Sequence, residues 1–136
     1  MVCGPLLGGA FLAQMIAADL DMEFAFALRT VSDRPGLYPV DYRIAPALRG
    51  AVRGKRVALV DDAISAGSAV RSTLADLESC GAISMALGAL ILVGEQPEAL
   101  AKEKRLPVEH VTKVPNAIWA PTECPMCALG APLTDP

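Results

Sequence analysis

Two adjacent carboxylates, Asp61 and Asp62, stand between an apolar run, Arg56 to Val60, and a string of small residues, Ser65-Ala66-Gly67-Ser68-Ala69. A short continuous aliphatic run reads as a buried parallel strand. Such a strand delivers both acids at its C-terminal end, where open α/β sheets bind their ligands. The small residues let a phosphate approach the backbone. A helix starting near Ser68 offers N–H groups that lack intrahelical partners and can hold that phosphate. The Ser65 and Ser68 hydroxyls add hydrogen bonds, and Asp61 and Asp62 are placed to accept them from sugar hydroxyls. The combination suits a phosphorylated sugar, with its phosphate in the loop and its diol over the acids. The plainer account is a strand, an acidic turn and a helix capped by Ser68. It covers two aspartates alone, but not an acid pair, a small-residue loop and a helix start together.

The flanking elements must position this segment. Val2 and Cys3 read as the end of a strand, followed by Gly4-Pro5-Leu6-Leu7-Gly8-Gly9 and a helix from about Ala10 to Leu20, with Phe11, Met15 and Ile16 on one side. Glu23 to Leu28 reads as a short strand. Arg29 to Lys55 carries Pro35, Pro39 and Pro46 with Gly36, Gly50 and Gly54, and predicts a long loop with a short edge hairpin around Leu37 to Ile44. After the acid pair, Val70, Leu74 and Leu77 repeat at helical spacing and predict a helix from Ser68 to Cys80, closed by Gly81. Ile83 to Val93 is a second buried strand, Pro97 to Lys104 a helix with proline near its start, and Val108 to Val111 another strand. Strands alternating with helices predict a mainly parallel sheet with helices on both faces. The 136 residues make one domain, 1–136, with a core over about 2–112 and an irregular tail over 115–136.

Composition narrows the function. Hydrophobic residues are 53% and charged residues 20% of the chain, which excludes a disordered segment. A net charge of -3 argues against a nucleic-acid partner. Residues 1–18 are apolar, yet no Lys or Arg precedes Arg29, so the basic region of a signal peptide is missing. The longest apolar run, Ile83 to Val93, falls short of the ~20 residues a membrane span needs. The expectation is a soluble, cytoplasmic protein without a membrane partner. Cys3 and Cys80 lie in apolar contexts as buried thiols. Cys124 and Cys127 have zinc-ligand spacing, but structural zinc takes four ligands. His110 and a remote cysteine could complete such a site, and two ordinary tail thiols are the favoured reading. A redox role lacks the expected strand before and helix after the pair. His110, the only histidine, is given no role, Arg71 is read as a solvated helix residue, and Trp119 as an anchor of the tail to the core.

Asp61-Asp62-Ala63-Ile64-Ser65-Ala66-Gly67-Ser68-Ala69 resembles the 5-phosphoribosyl 1-diphosphate signature of the type I phosphoribosyltransferases. Residues 65–69 are close to the Thr-Ala-Gly-Thr-Ala form of the orotate enzymes. The resemblance covers roughly residues 2–95. It implies the type I phosphoribosyltransferase fold, with Asp61 and Asp62 catalytic at the ribose hydroxyls and residues 61–69 binding the donor. Ser65 would also reach the base. Gly4 to Gly9 is similar to the family's pyrophosphate loop, where glycine permits close backbone approach. Arg29 resembles the arginine that meets pyrophosphate. The implied reaction displaces pyrophosphate from the anomeric carbon by a nucleobase nitrogen, most simply that of orotate, with Mg²⁺ held mainly through the substrate and a homodimer as the assembly. A salvage enzyme for another base, or a relative that binds the donor as a regulator without turnover, are the alternatives.

There are four departures from the orotate pattern: Gly8 and Thr30 stand where lysines are usual, residues 30–54 hold neither lysine nor histidine, and Val93 stands in place of the arginine that meets orotate's carboxylate. Ala63 is smaller than the usual Val or Ile. Arg34, Arg43, Arg49 and Arg53 are available as substitutes for the loop lysine, in the same site or across a dimer. The N-terminal hood of orotate enzymes is apparently missing, since the pyrophosphate loop begins at residue 4.

Overall fold

The computed structural model of the chain describes residues 1–31, 40–117, 119 and 122–131. Six strands form one sheet in the order β3-β2-β1-β4-β5-β6. They are β1 (Val2–Pro5), β2 (Phe24–Val31), β3 (Val40–Ile44), β4 (Arg56–Ile64), β5 (Ile83–Val93) and β6 (Val108–Val114). All neighbours run parallel except the edge strand β3, which is antiparallel to β2. The helices are α1 (Gly8–Asp19), α2 (Arg49–Val52), α3 (Ser68–Ser79), α4 (Gln96–Lys104) and α5 (Pro125–Ala128), with a 3-10 turn over Pro46–Leu48. The expected mainly parallel sheet, with helices on both faces, is present.

The two faces carry different cores. Val2 and Val60 turn toward α1 and meet its small buried residues Ala13 and Ala17. Cys3, Leu59, Leu87 and Leu92 turn the other way, against Val70, Leu74 and Leu77 of α3 and Leu100 of α4. This alternation along β1 and β4 is the period of two that a sheet buried on both faces requires. Helix α3 shows the anticipated apolar stripe, and Gly81, at φ +80°, closes its C-terminus.

Several boundaries differ from expectation, each for a visible reason. Strand β4 does not stop at Val60: the eleven-residue β5 pairs with it as far as Ile64 and Leu92, so both acids lie within the ladder rather than beyond it. Strand β2 continues to Val31 because β3 supplies a partner, placing Arg29 opposite Tyr42 instead of just after a strand. The stretch from Arg29 to Lys55 is therefore not one loop. It holds the end of β2, strand β3, the 3-10 turn and α2, and the hairpin is wider than anticipated at its β2 arm. Residues 32–39 of that stretch, including Arg34, lie outside the described residues. Helix α1 begins two residues before Ala10, at Gly8, and β6 runs on to Val114. The tail contains the helical turn α5, and Trp119, 48% exposed, is not buried as an anchor.

Strand β3 is an edge, and its outward N–H groups need partners. Helix α3 provides them: Tyr42 N–H donates to Ser72 Oγ at 2.7 Å and Ile44 N–H to Asp76 Oδ2 at 2.7 Å. Among the described residues no helix is long and apolar enough to cross a membrane.

Candidate functional site

The strand order sets where a ligand can sit. The chain leaves β1 through α1 on one face and leaves β4 through α3 on the other. Between the C-terminal ends of these adjacent strands the connections diverge, and that divergence opens a crevice. The Gly4–Gly9 segment rims it from one side and residues 61–69 from the other.

On the β4 side, Gly67 adopts φ +79°, a left-handed conformation that glycine takes without steric cost, and is the N-cap of α3. No side chain caps this end. Ser68 is the first helical residue, so it is not an N-cap. The first intrahelical bond runs from Arg71 N–H to the Gly67 carbonyl at 2.8 Å, so the N–H groups of Ser68, Ala69 and Val70 have no acceptor within the helix. A cavity of about 220 Å³ lies directly over this turn, lined by Asp61, Ala63, Ile64, Ser65, Ala66, Gly67, Ser68, Ala69 and Val70. Leu100 of α4 supports the turn from beneath, 3.1 Å from where a Cβ on Gly67 would lie. The Ser68 hydroxyl is on the exposed side and Ser65 is half-buried. A larger cavity of about 540 Å³, beside α1, is lined mainly by aliphatic side chains such as Leu12, Ile16, Leu20, Val60 and Leu90, and is ill suited to a phosphate.

The two acids are not equivalent. Asp62 is exposed, whereas Asp61 is 7% exposed. Asp61 Oδ1 accepts the Asp62 N–H at 3.1 Å, and its carboxylate also accepts the Gly9 N–H. Burial, joined by the hydrogen bond and negative charge of Asp62, pushes the Asp61 carboxyl up to about 7. The pair therefore holds a proton near neutrality.

On the β1 side the glycines are packed against these acids. A Cβ on Gly8 would overlap the Asp62 carboxylate, and one on Gly9 would lie 2.6 Å from Asp61 Oδ1. A Cβ on Gly4 would collide with the Gly9 carbonyl. Glycine at position 8 is thus part of how the crevice closes, not merely a lost lysine. Pro5 ends β1, Leu6 N–H donates to the Ala27 carbonyl at 2.8 Å, and exposed Leu7 is the N-cap of α1.

Other anticipated residues sort differently. Arg29 is exposed at the same sheet edge, one strand beyond β1, beside a separate cavity of about 290 Å³ formed with Thr30, Val31 and Val40. No described hydrogen bond or ion pair joins it to the acids. Arg43 and Arg49 are engaged elsewhere within this chain. Both bind Asp76, at 3.1 and 2.7 Å. Arg53 lies at the opposite end of the sheet, its Cγ 3.6 Å from a Cβ built on Gly81. Arg71 is exposed on the helix face, as expected, and there pairs with Glu103 of α4 at 2.8 Å. His110 lines the aliphatic cavity, away from the crevice.

Asp76 was not anticipated as more than a helix residue. Its burial alone would raise its carboxyl, yet the Ile44 N–H and the Arg43 and Arg49 guanidiniums together hold it below the ordinary value. The available signal was an acid at position 76, on the same helical stripe as Thr73, Leu74 and Leu77, with arginines upstream to neutralise it.

Comparisons with known proteins bear on this arrangement. Residues 1–126 match the phosphoribosyl transferase domain family. The orotate phosphoribosyltransferase of Thermotoga maritima is 26% identical over 138 residues, covering 99% of this chain. That of Pelotomaculum thermopropionicum is 28% identical over 139 residues, covering 100%. The chain spans 65% of the length of each. Among solved structures, orotate phosphoribosyltransferase from Aeropyrum pernix superposes with a TM-score of 0.68 at 21% identity, covering 83% of this chain and 59% of that one. Adenine phosphoribosyltransferase from Thermoanaerobacter pseudethanolicus gives 0.67 at 18%, covering 83% and 68%. At these identities the superpositions speak to the fold, which is that of the type I phosphoribosyltransferases, while the sequence is similar to the orotate enzymes. The chain belongs to the phosphoribosyl transferase domain family.

Proposed function

We propose that this chain binds 5-phosphoribosyl 1-diphosphate in the β1/β4 crevice and transfers its phosphoribosyl group to a nucleobase, orotate in the first instance. The observation that carries this reading is the cavity over the Gly67 turn, which joins unpaired helix N–H groups to Asp61, the buried member of the acid pair. The 5-phosphate sits against residues 65–69, held by backbone N–H groups and the Ser65 and Ser68 hydroxyls. Exposed Asp62 accepts a hydrogen bond from a ribose hydroxyl, and Asp61 braces it from below. Ser65, at the mouth of the cavity, is the residue of this loop assigned to the base. The diphosphate lies along Gly4–Gly9, where missing side chains permit backbone approach, with Arg29 at the rim.

Displacement of diphosphate at the anomeric carbon builds positive charge on the sugar and negative charge on the leaving group. The chain contributes positioning and fixed dipoles. Among the described residues no cluster of three or more His, Cys, Asp or Glu could hold a metal ion. The two crevice carboxylates therefore fit only a Mg²⁺ whose other ligands are substrate and water oxygens. Such an ion would supply charge neutralisation at the diphosphate.

The assembly proposed is a homodimer. Helix α1 has no charged residue before Asp19, and Leu7, Phe11 and Met15 are exposed by 66%, 61% and 70% along one side. A helix apolar on its outer face is one that a partner covers. A cytoplasmic setting fits the reaction proposed.

A second reading is a donor-binding relative without turnover. It is favoured by Gly8 at the lysine position and by the engagement of Arg43 and Arg49 with Asp76. The match in fold to adenine enzymes likewise leaves another base open as acceptor. Calorimetric titration with 5-phosphoribosyl 1-diphosphate and Mg²⁺, followed by a diphosphate-release assay with orotate and with adenine, separates these. Binding that Asp62→Asn abolishes, together with diphosphate release, supports transfer, and the base that elicits release names the acceptor. Binding without release supports the second reading, and absence of binding refutes both.

A further inference from the structure

The Cys124-Pro125-Met126-Cys127 segment is absorbed by neither core nor crevice. Contrary to expectation, a helical turn does follow Cys124: Ala128 N–H donates to the Cys124 carbonyl at 3.0 Å, and Cys124 is the N-cap of α5. One turn of helix brings the side chains three residues apart onto one side, and Cys124 and Cys127 stand three apart on this turn. Cys127 is exposed and Cys124 half-buried, in contrast to Cys3 and Cys80, which are 0% and 6% exposed. We propose that Cys124 and Cys127 are a reversible dithiol–disulfide site, oxidised by small-molecule disulfides of the glutathione type.

The two sulfurs have distinct parts. The Cys127 and Met126 N–H groups and the Cys127 thiol point at the Cys124 sulfur and hold its thiol below the ordinary range, while the neighbouring Cys124 sulfur raises Cys127. Cys124 is thus the sulfur that is thiolate first. It attacks one sulfur of the external disulfide, breaking that S–S bond and expelling one thiolate. Cys127 then gives up its proton and attacks the Cys124 sulfur of the mixed disulfide, expelling the second thiolate. The external disulfide is reduced to two thiols, which take up the protons, and the protein dithiol is oxidised to one disulfide. Cys3 takes no part, because burial pushes its thiol up to about 12.

The test is a thiol count and an intact mass on the full chain before and after equilibration with oxidised glutathione. A chromogenic disulfide should titrate two thiols in the native protein and all four in denaturant, four being the number of cysteines. After oxidation it should find none in the native protein and two in denaturant, with no glutathione adduct in the mass. Dithiothreitol should restore the count. Cys124→Ser and Cys127→Ser should each stop at a stable mixed disulfide with glutathione. A wild-type chain that retains the adduct, forms linked oligomers or keeps both thiols free would overturn the proposal. So would stoichiometric zinc in the purified chain that blocks both thiols.

Discussion

The proton held by the acid pair has a consequence for stability that can be worked from the structure. The Asp61 carboxyl is pushed up to about 7 in the fold from an ordinary value of 3.8. A carboxyl raised in this way keeps its proton longer in the folded state than in the unfolded chain. Stability is therefore full below the unfolded value, falls as pH rises between about 4 and 7, and levels off above that. About three pKa units at ~1.36 kcal/mol each give a loss of at most about 4 kcal/mol, a large share of the 5–15 kcal/mol typical of a domain. In a chain of this size that corresponds to a fall in Tm of roughly 10–15 °C. Asp76 acts oppositely, because a carboxyl held low contributes stability that disappears as pH falls through its folded value. Maximum stability is then expected near pH 4, at the foot of the Asp61 decline.

Urea unfolding followed by far-UV circular dichroism, at half-unit steps from pH 4.5 to 8.5, reads this slope. The leading cause of the shift is burial, with Asp62 contributing second. Asp61→Asn should therefore flatten the profile almost completely, and Asp62→Asn should flatten it only in part. A wild-type profile that is level across this range, or an Asp61→Asn variant that keeps the wild-type slope, would refute the reasoning. Equal flattening by both variants would show that the charge of Asp62, not burial, dominates.

Other perturbations test other parts of the site. Gly9→Ala should cost about 2 kcal/mol of stability and weaken donor binding, because its Cβ meets Asp61 at 2.6 Å; chemical unfolding and calorimetry measure both. Gly8→Lys, which restores the residue usual in orotate enzymes, should lower rather than raise diphosphate release, since its Cβ overlaps the Asp62 carboxylate. Ser68→Ala should change stability by less than the ~1 kcal/mol of a lost N-cap, because Gly67 holds the cap position, yet should weaken donor binding measurably. Asp76→Asn should destabilise the fold by about 3 kcal/mol and increase hydrogen exchange at the Ile44 N–H, which loses its carboxylate acceptor.

The site was legible because its signals are local. A strand of aliphatic residues, two acids, five small residues and a helical stripe are contiguous, and each constrains the next. The pairing of β4 with β5 beyond Val60 was not legible, since Asp61 to Ile64 lack an aliphatic run and the ladder depends on the length of a strand twenty residues on. The same holds for Arg29, whose strand exists only because β3 returns beside it. The unequal burial of Asp61 and Asp62 escaped for another reason. It follows from α1 pressing Gly8 and Gly9 into the crevice, and adjacent residues of one type give no hint of which is covered. The roles of Arg43 and Arg49 needed the docking of β3 on α3, which no spacing in the sequence encodes.

These displacements bear on how the crevice could accept a donor carrying many negative charges. Two of the arginines that seemed free are committed to Asp76, Arg53 faces the far end of the sheet, and Arg29 stands at the rim. Among the described residues the attraction at the centre must then come from backbone N–H groups, at Gly4–Gly9 and at the start of α3, which act as fixed partial charges over short range. Such dipoles are weaker than a lysine and are easily offset by a carboxylate. A doubly ionised acid pair at the same spot would offset them, but Asp61 retains its proton up to about pH 7, leaving a single negative charge, on exposed Asp62. The glycines that bury Asp61 therefore serve two ends at once. They open the backbone to the diphosphate, and they keep the acid beneath it neutral. If this coupling holds, calorimetry in buffers of differing ionisation enthalpy should find that donor binding without Mg²⁺ weakens as pH rises through 7 and is accompanied by proton uptake. Binding that strengthens over that interval, or that exchanges no proton with the buffer, would break the link between the buried acid and the ligand.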